Sequence, residues 1–379
     1  MARYLYVHIP FCLSKCIYCD FYSVPKDDLL IDQYMKALCK EMEMREGHAT
    51  ALEGIYIGGG TPSVLKEAHT DMLMAQVKTV FGIAKCAEIT SEANPGTLTE
   101  RGVAGILKAG INRISLGVQS LDNNDLSLLG RTHNSAEALT AISVARSGGF
   151  DNLSIDLIYG IPGQHINSWK RTLEDAVSLS PEHVSAYELT PEKNTPLYAE
   201  LKAGRLCLPD EDAVAEMYYS AIDLLEDNRY RHYEISNFAR PGYECRHNLN
   251  YWNRGQYLGV GAGAHSFLAG CRKANVGDVG QYIATILEGG IPVIEEKLLT
   301  GQDELEEFLF LGLRKREGID IDRLPQWAAE KVREALDELV IEGLLEYTSN
   351  RIRLTRRGLI ICNAVIVRLM LCIEQHRPV

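Results

Sequence analysis

The sequence "HIPFCLSKCIYCDF" at residues 8–21 places three cysteines, Cys12, Cys16 and Cys19, within eight positions and supplies no fourth. The spacing C-x3-C-x2-C lets three thiolates bind three irons of a four-iron cluster, so that the fourth iron is left without a protein ligand. Such an open position on a metal is where chemistry or substrate binding takes place. The alternative is a structural zinc site with His8 as fourth ligand, although zinc motifs usually consist of two separated pairs of ligands.

The composition of the chain is that of an ordinary globular protein, and it indicates that the cysteines are not needed for folding. The 379 residues are 46% hydrophobic, which predicts a large domain with a smaller one beside it. A formal net charge of -12 disfavours binding to nucleic acid. The start of the chain has no signal-peptide pattern, and Asn363 and Arg368 break its longest apolar stretch, so we expect a cytoplasmic protein without a membrane span.

Residues 1–200 alternate between strand-like and helical patterns. The expected strands lie at 4–9, 54–57, 88–91, 113–118, 154–158 and 184–189, with helices such as 30–46, 99–109, 135–147 and 168–179 between them. This alternation is typical of α/β folds with a parallel sheet. Six units favour a partial (β/α)6 barrel, although an open doubly wound sheet has the same local pattern.

Polar and glycine residues collect at the carboxyl ends of these expected strands. The cysteine loop follows the first strand, "GGGTP" (58–62) follows the second, Glu92 the third and Gln119 the fourth, while Asp156 lies in the fifth. The carboxyl ends of parallel strands meet at one rim, where ligands bind. We therefore expect these residues to line one site, although each of them alone could be a cap or turn residue.

Two further regions follow the expected barrel. Residues 201–300 are less regular and include "HNLNYWNRGQYLGVGAGAHSF" (247–267), which we expect to form loops and short strands over the rim. Residues 301–379 indicate a small, mainly helical domain of winged-helix type. Its helices are acidic, which favours a packing domain or a partner surface over DNA binding by a redox-sensing regulator.

At "YVHIPFC", "GGGTP", "SLGVQS" and "SIDLIYGIPGQ" the sequence resembles the radical S-adenosylmethionine (SAM) superfamily, and within it the coproporphyrinogen oxidase-like branch. The motifs match in order over nearly the whole chain. The resemblance implies a radical SAM barrel with a [4Fe-4S] cluster on Cys12, Cys16 and Cys19. It also implies that the amino and carboxylate groups of S-adenosyl-L-methionine bind the open iron.

The resemblance also implies which side chains contact this cofactor. They match the family's cluster-flanking, glycine-turn and polar contact positions, and they are Tyr6, Tyr18, Gly59, Gly60, Thr61, Glu92, Gln119, Arg131 and Asp156. Carboxylates and an amide suit ammonium and ribose hydroxyl groups, and a guanidinium suits a carboxylate. The alternative for Arg131 is a surface arginine opposite Asp125.

Two groups within the branch have to be separated, the oxygen-independent coproporphyrinogen III oxidases and the HemW-type heme chaperones. The oxidases carry a further cysteine two positions after the third cluster cysteine, where this chain has Phe21, and they have an N-terminal extension that is not expected here. Residues 247–252, "HNLNYW", match the HNxxYW motif of the heme chaperones. The resemblance therefore favours a heme chaperone, with a radical SAM enzyme such as the oxidase as the alternative.

A heme chaperone implies heme b as cargo and an acceptor hemoprotein such as a respiratory enzyme. His247 is then the candidate ligand of the heme iron, and Tyr251 and Trp252 offer flat apolar surface to a porphyrin. The alternative for His247 is a loop histidine with a core tryptophan behind it. The sequence leaves open the heme acceptor, the second axial ligand, the cleavage of SAM and the formation of a homodimer.

Overall fold

The structure is a computed structural model that describes residues 1–374, without the side chains of 327–331 and 372–374; the last five residues of the expected C-terminal domain lie outside it. Its strands are β1 (Ala2–Ile9), β2 (Phe11–Cys12), β3 (Val24–Pro25), β4 (Ala49–Gly59), β5 (Ile83–Ala93), β6 (Arg113–Gln119), β7 (Leu153–Tyr159), β8 (His183–Glu188), β9 (Arg231–Glu234), β10 (Asn237–Ala239), β11 (Leu258–Val260), β12 (His265–Leu268), β13 (Cys271–Asn275), β14 (Val293–Leu298), β15 (Ile319–Asp320), β16 (Leu345–Thr348) and β17 (Arg351–Leu354).

The helices lie between these strands and in the C-terminal part of the chain. They are α1 (Asp28–Met44), α2 (Glu67–Phe81), α3 (Glu100–Lys108), α4 (Asn123–Leu128), α5 (Ser135–Gly148), α6 (Ile166–Ser178), α7 (Pro196–Lys202), α8 (Glu211–Asp227), α9 (Arg246–Trp252), α10 (Val279–Leu287), α11 (Gly301–Gly312), α12 (Gln326–Ile341), α13 (Arg356–Ile360) and α14 (Cys362–Glu374). Several begin at side-chain caps: Asp27 accepts from the Leu30 amide, and Asn134 and Glu137 form a reciprocal capping box.

The central element is a nine-stranded sheet with the order β11-β1-β4-β5-β6-β7-β8-β10-β9. Strands β1, β4, β5, β6, β7 and β8 pair in parallel, each with the next one along the chain. A doubly wound sheet would reverse its strand order at a switch point, and this sheet does not. The predicted partial (β/α)6 radical SAM barrel is therefore confirmed, and β11, β10 and β9 extend it at its two edges.

Successive residues of the parallel strands alternate between an apolar outer face and a polar barrel interior. On β5, Ile89 packs in the hydrophobic core, whereas Glu88 and Glu92 bond to groups inside the barrel. The outer face packs on the surrounding helices, where Tyr34, Met35 and Leu38 of α1 are fully buried. The apolar core thus lies between sheet and helices, and the interior is left for polar side chains.

The C-terminal region adds a small domain of helices with a three-stranded antiparallel sheet in the order β15-β17-β16. This arrangement confirms the expected small C-terminal domain of winged-helix type. Paired side chains join it to the rest of the chain, including Arg356 with Asp223 and Glu307 with Arg254 and Arg272. Throughout residues 1–374, no helix has the length and apolar character needed to cross a membrane.

Candidate functional site

The three cysteines of the first loop line one cavity of about 360 Å³ at the carboxyl ends of the parallel strands. Each of them is partly buried and none forms a disulfide. The Thr61 hydroxyl donates to Cys12 Sγ at 3.5 Å, and Arg131 Nη1 donates to Cys16 Sγ at 3.3 Å. Hydrogen-bond donors aimed at sulfur stabilise thiolates, so this set of three thiols fits a cluster bound through three of its irons.

The zinc alternative is not supported by the surroundings of His8. Its Nδ1 bonds to the Tyr6 hydroxyl at 3.0 Å and its Nε2 to the Tyr22 carbonyl at 3.2 Å, so both ring nitrogens are engaged. Within the described part of the chain, no group of three or more His, Cys, Asp or Glu side chains converges to hold a single ion. A four-iron cube does not need such convergence, because each thiolate binds a different iron.

The glycine turn after β4 brings bare backbone to the cavity wall. Gly59 has φ = 110°, a conformation that L side chains rarely adopt, and its amide donates to Glu92 Oε2 at 3.0 Å. A Cβ on Gly60 would lie 2.8 Å from backbone atoms of Ile9 and Phe11. The close approach of β1 and β4 beside the cysteine loop therefore requires glycine at both positions.

Glu92 projects from β5 into the cavity and is held there by two donors. The Tyr56 hydroxyl donates to its Oε1 at 2.9 Å, opposite the Gly59 amide on Oε2. Burial raises the pKa of Glu92 to about 7, and the negative charge of Asp156 acts in the same direction. A carboxylate in this state binds a cationic group such as an ammonium, which would relieve the cost of its burial.

Asp156 on β7 accepts hydrogen bonds from three serines, one on its own strand and one on each of the neighbouring strands β6 and β8. Ser185 Oγ lies 2.7 Å from Oδ1, Ser115 Oγ lies 3.1 Å from Oδ2, and Ser154 Oγ lies 3.4 Å from Oδ1. Burial nevertheless raises the pKa of Asp156 above its ordinary value. The serines hold the carboxylate in one orientation at the cavity wall, as recognition of ribose hydroxyls would require.

Arg131 reaches the cavity from the segment between α4 and α5. Besides Cys16, its guanidinium contacts the Gly117 carbonyl at 2.7 Å and the Tyr18 hydroxyl at 3.4 Å. Asp125 instead accepts from Ser120 and Gln164. The alternative of a surface arginine opposite Asp125 is therefore wrong.

The cavity collects most of the residues that the sequence predicts for it. Its lining includes all three cysteines and eight of the nine predicted cofactor contacts, namely Tyr18, Gly59, Gly60, Thr61, Glu92, Gln119, Arg131 and Asp156. Tyr6 does not line it, because its side chain lies deeper in the barrel, where its hydroxyl bonds to His8. The cofactor roles of the eight stay predictions.

Other cavity residues escaped the sequence analysis, among them Tyr56, Ser115 and Tyr187. Tyr56 and Ser115 occupy inward positions of their strands, two and four residues before Gly58 and Gln119, so the two-residue period of a strand could have revealed them. Tyr187 lies close to the end of β8 and has the same signal. The sequence analysis considered only the strand ends and missed them.

The "HNLNYW" segment forms helix α9 at the amino end of the barrel, opposite the cysteines. Its Arg246 amide donates to Glu88 Oε1 at 2.9 Å, and the Arg246 guanidinium bonds to the Cys86 carbonyl near the start of β5. The expectation of loops over the rim is therefore wrong for these residues. On one face of this helix, His247 and Tyr251, four residues apart, bond to each other at 2.8 Å and add to its stability.

His247 is enclosed by aromatic side chains and only 1% exposed. Its ring lies 5.3 Å from the Tyr56 ring and 5.8 Å from the Tyr4 ring, and its Nδ1 has no hydrogen-bond partner among the described residues. Burial lowers the pKa of His247 to about 3, so the ring is neutral. His247 thus lies behind Tyr56, and it is not a histidine on an exposed loop.

Comparisons with known proteins agree with this architecture. The family model of the Radical SAM superfamily matches residues 6–176, and that of the HemN C-terminal domain matches residues 299–361. The chain is 38% identical over 371 residues to the Heme chaperone HemW of Bacillus subtilis (strain 168), covering 95% of this chain and 97% of the relative. It is 34% identical over 374 residues to the Heme chaperone HemW of Escherichia coli (strain K12), covering 96% of each.

A solved structure shares the fold over almost the same length. The coproporphyrinogen III oxidase HemN from Escherichia coli, described as a radical SAM enzyme, superposes with a TM-score of 0.82 at 25% sequence identity. The match covers 97% of this chain and 89% of the oxidase. One barrel thus carries both the named chaperones and the oxidase, so the fold alone does not separate the two functions.

Proposed function

The chain belongs to the HemW heme chaperones of the radical SAM superfamily, and from this premise we propose that it binds heme and passes it to an acceptor hemoprotein. The observation that carries the proposal is the match to proteins of that name over nearly the full length of both chains. Membership of the superfamily implies a [4Fe-4S] cluster and SAM as cofactors. The acceptor, a homodimer and a cytoplasmic location stay predictions.

The cofactor site supports this proposal through its donor set. Cys12, Cys16 and Cys19 would hold the cluster, and Thr61 and Arg131 donate towards two of these sulfurs. When bound, the cluster supplies a reducing electron and an open iron position. The chain supplies the binding groups and the shelter from water. Glu92 can accept a hydrogen bond from an ammonium group, and helix α9 at the amino end of the barrel keeps water from entering on that side.

Phe21 favours the chaperone over the oxidase. It occupies the position at which the oxidases carry a further cysteine, lines the cavity and is 67% exposed. Unlike the thiol of a cysteine, a phenyl ring can neither donate a proton nor bind a metal. It can, however, pack against the face of a porphyrin. An exposed aromatic ring in the lining of the cavity suits a flat apolar cargo.

Heme ligation by the predicted ligand, His247, requires a change in the structure around it. Its Nε2 bonds to the Tyr251 hydroxyl, and its ring lies behind Tyr56 at the amino end of the barrel. Ligation of heme iron by this nitrogen therefore requires helix α9 to leave the barrel floor. The seven residues of α9 make such a movement a local one.

The test is a heme titration of anaerobic, cluster-loaded protein, followed by absorption spectroscopy. Wild type should bind heme tightly, and His247→Ala should shift the absorption bands or lower the affinity at constant cluster iron. His165→Ala, which replaces an exposed histidine, is the matched control and should behave as wild type. Identical heme spectra for His247→Ala and wild type would refute this ligand, and absence of heme binding by wild type would refute the chaperone proposal itself.

A further inference from the structure

A continuous chain of buried hydrogen bonds joins the floor of the barrel to Asp156 at the cofactor cavity. The Cys245 amide donates to the Tyr233 hydroxyl at 3.3 Å, and that hydroxyl lies 2.8 Å from His183 Nε2. On the other side of the ring, His183 Nδ1 lies 2.8 Å from Ser154 Oγ, which lies 3.4 Å from Asp156 Oδ1. We call these four contacts the His183 relay.

The two ends of the His183 relay are compatible with a single direction for all of its hydrogen bonds. A backbone amide can only donate, and an ionised carboxylate can only accept. The Tyr233 oxygen accepts from the Cys245 amide, which leaves its own proton free to be donated to His183 Nε2. His183 then carries its proton on Nδ1 and donates to Ser154, whose hydroxyl proton is left to face Asp156. All bonds point the same way, which strengthens each of them.

The surroundings of His183 keep it neutral, as this arrangement requires. The side chain is 1% exposed, and burial lowers its pKa well below the ordinary value, with the nearby cation of Arg113 acting in the same direction. Arg113 is itself fully buried between Cys245, Glu88 and Tyr56. A neutral imidazole has one donor and one acceptor, which match its two partners in the relay.

Without the relay, the Ser154 hydroxyl would have a choice of partners. It could rotate to donate to an unprotonated His183 Nδ1, and Asp156 would then lose one of its three serine donors. Ser115 and Ser185 bond Asp156 from the neighbouring strands, but neither forms a described contact with the barrel floor. Among the described contacts, the relay thus joins Asp156 by hydrogen bonds to the residue before helix α9, whereas Arg113 acts on both through its charge.

We propose that His183 is a positioning residue, which fixes the Ser154 donor on Asp156 and so holds this carboxylate in the orientation that binds S-adenosyl-L-methionine. The proposal rests on the cofactor site described above and not on the binding of heme. The relay starts at the amide of Cys245, the residue before the "HNLNYW" helix at the opposite end of the barrel. Loss of its middle links should weaken SAM binding although none of them touches the cavity.

The experiment is calorimetry of SAM binding to the anaerobic, cluster-loaded full chain. Tyr233→Phe removes one hydroxyl and should weaken binding about two- to tenfold, the effect of one net hydrogen bond. Tyr230→Phe is the matched control, because its buried hydroxyl donates to the Pro181 carbonyl outside the relay, and its affinity should stay that of wild type. Cluster iron should be the same in all variants.

A double-mutant cycle separates positioning from a general loss of structure. If the relay acts through Asp156, Tyr233→Phe should have no further effect in an Asp156→Asn background. His183→Leu should weaken binding as Tyr233→Phe does, and His183→Gln, whose amide keeps one donor and one acceptor, should recover part of the affinity. Unchanged SAM affinity in Tyr233→Phe, or the same loss with and without Asp156, would overturn the proposal.

Failure of this proposal is distinguishable from failure of the proposed function. Heme titration of the same variants should give wild-type affinity, since the proposed role of His183 concerns SAM alone. Absence of heme binding with the SAM cycle as expected would refute the chaperone and leave the relay standing. A wild-type protein that fails to bind SAM would overturn the relay, whatever its behaviour towards heme.

Discussion

Replacement of Glu92 by glutamine should stabilise the cluster-free, SAM-free protein, and more so at higher pH. The Glu92 carboxyl is buried, and its pKa in the folded chain is about 7, against an ordinary value of 4.5. A carboxyl with a raised pKa favours folding while it is protonated, and this contribution is lost as the pH rises through the folded-state pKa. The amide of glutamine does not ionise, so its contribution to folding does not change with pH.

The pKa difference sets the magnitude of this effect. At about 1.36 kcal/mol per pKa unit, a pKa of about 7 against 4.5 corresponds to roughly 3 kcal/mol. The unfolding free energy of Glu92→Gln minus that of wild type should therefore rise by up to about 3 kcal/mol between pH 4.5 and pH 8. Glu92 and Asp156 repel each other, so loss of the Glu92 charge also eases ionisation of Asp156 and adds in the same direction.

Urea denaturation followed by circular dichroism at pH 5, 6, 7 and 8 measures this difference. Glu288→Gln, which neutralises an exposed carboxyl at the end of α10, is the control and should follow wild type. A constant difference between Glu92→Gln and wild type across this range would refute the reasoning, because Glu92 would then not titrate at a raised pKa. The stabilised variant should bind SAM more weakly, since the buried Glu92 carboxylate is the predicted acceptor of the SAM ammonium group.

The remaining predictions concern the cluster and the cavity. Cys12→Ser, Cys16→Ser and Cys19→Ser should each abolish the four-iron cluster without loss of helix signal, by iron counting and circular dichroism; the exposed Cys207→Ser should keep its iron, and full iron in all three variants would contradict the assignment. Asp156→Ala should weaken SAM binding roughly ten- to a hundredfold, the effect of about 1.5 to 3 kcal/mol for a charge-assisted bond, and unchanged calorimetry would exclude that role. Gly60→Ala should lower the melting temperature, because its Cβ would lie 2.8 Å from backbone atoms of Ile9 and Phe11. A wild-type melting temperature would show that the backbone of residues 9–11 can move away from residue 60.

The sequence predicts the barrel well because parallel strand-helix units are encoded locally. Each of the six expected strands is present, and residues at their carboxyl ends, such as Glu92 and Gln119, meet in one cavity because parallel strands share a rim. The sequence predicts short strands within residues 247–267, but not that β11 joins the barrel sheet, because β11 pairs with β1, more than 240 residues earlier in the chain. A three-residue strand with a distant partner has no local signature.

The sequence analysis also failed to identify most of the polar side chains inside the barrel, which matter more for the site than strand β11. Tyr56, Arg113 and His183 alternate with apolar residues on their strands, and this pattern is that of a strand with two different faces. The sequence does not state which partners such residues meet, because the Tyr233 and Cys245 that complete the relay lie on segments outside the parallel strands. The spacing of His247 and Tyr251 does carry a local signal, since residues four apart face each other on a helix.

The most direct test of the central claim compares heme retention with porphyrinogen decarboxylation in one anaerobic, cluster-loaded preparation. Heme should remain with the protein through gel filtration, and coproporphyrinogen III supplied with SAM and a reductant should release no carbon dioxide. Clear carbon dioxide release from a protein that retains no heme would contradict the chaperone and establish the oxidase.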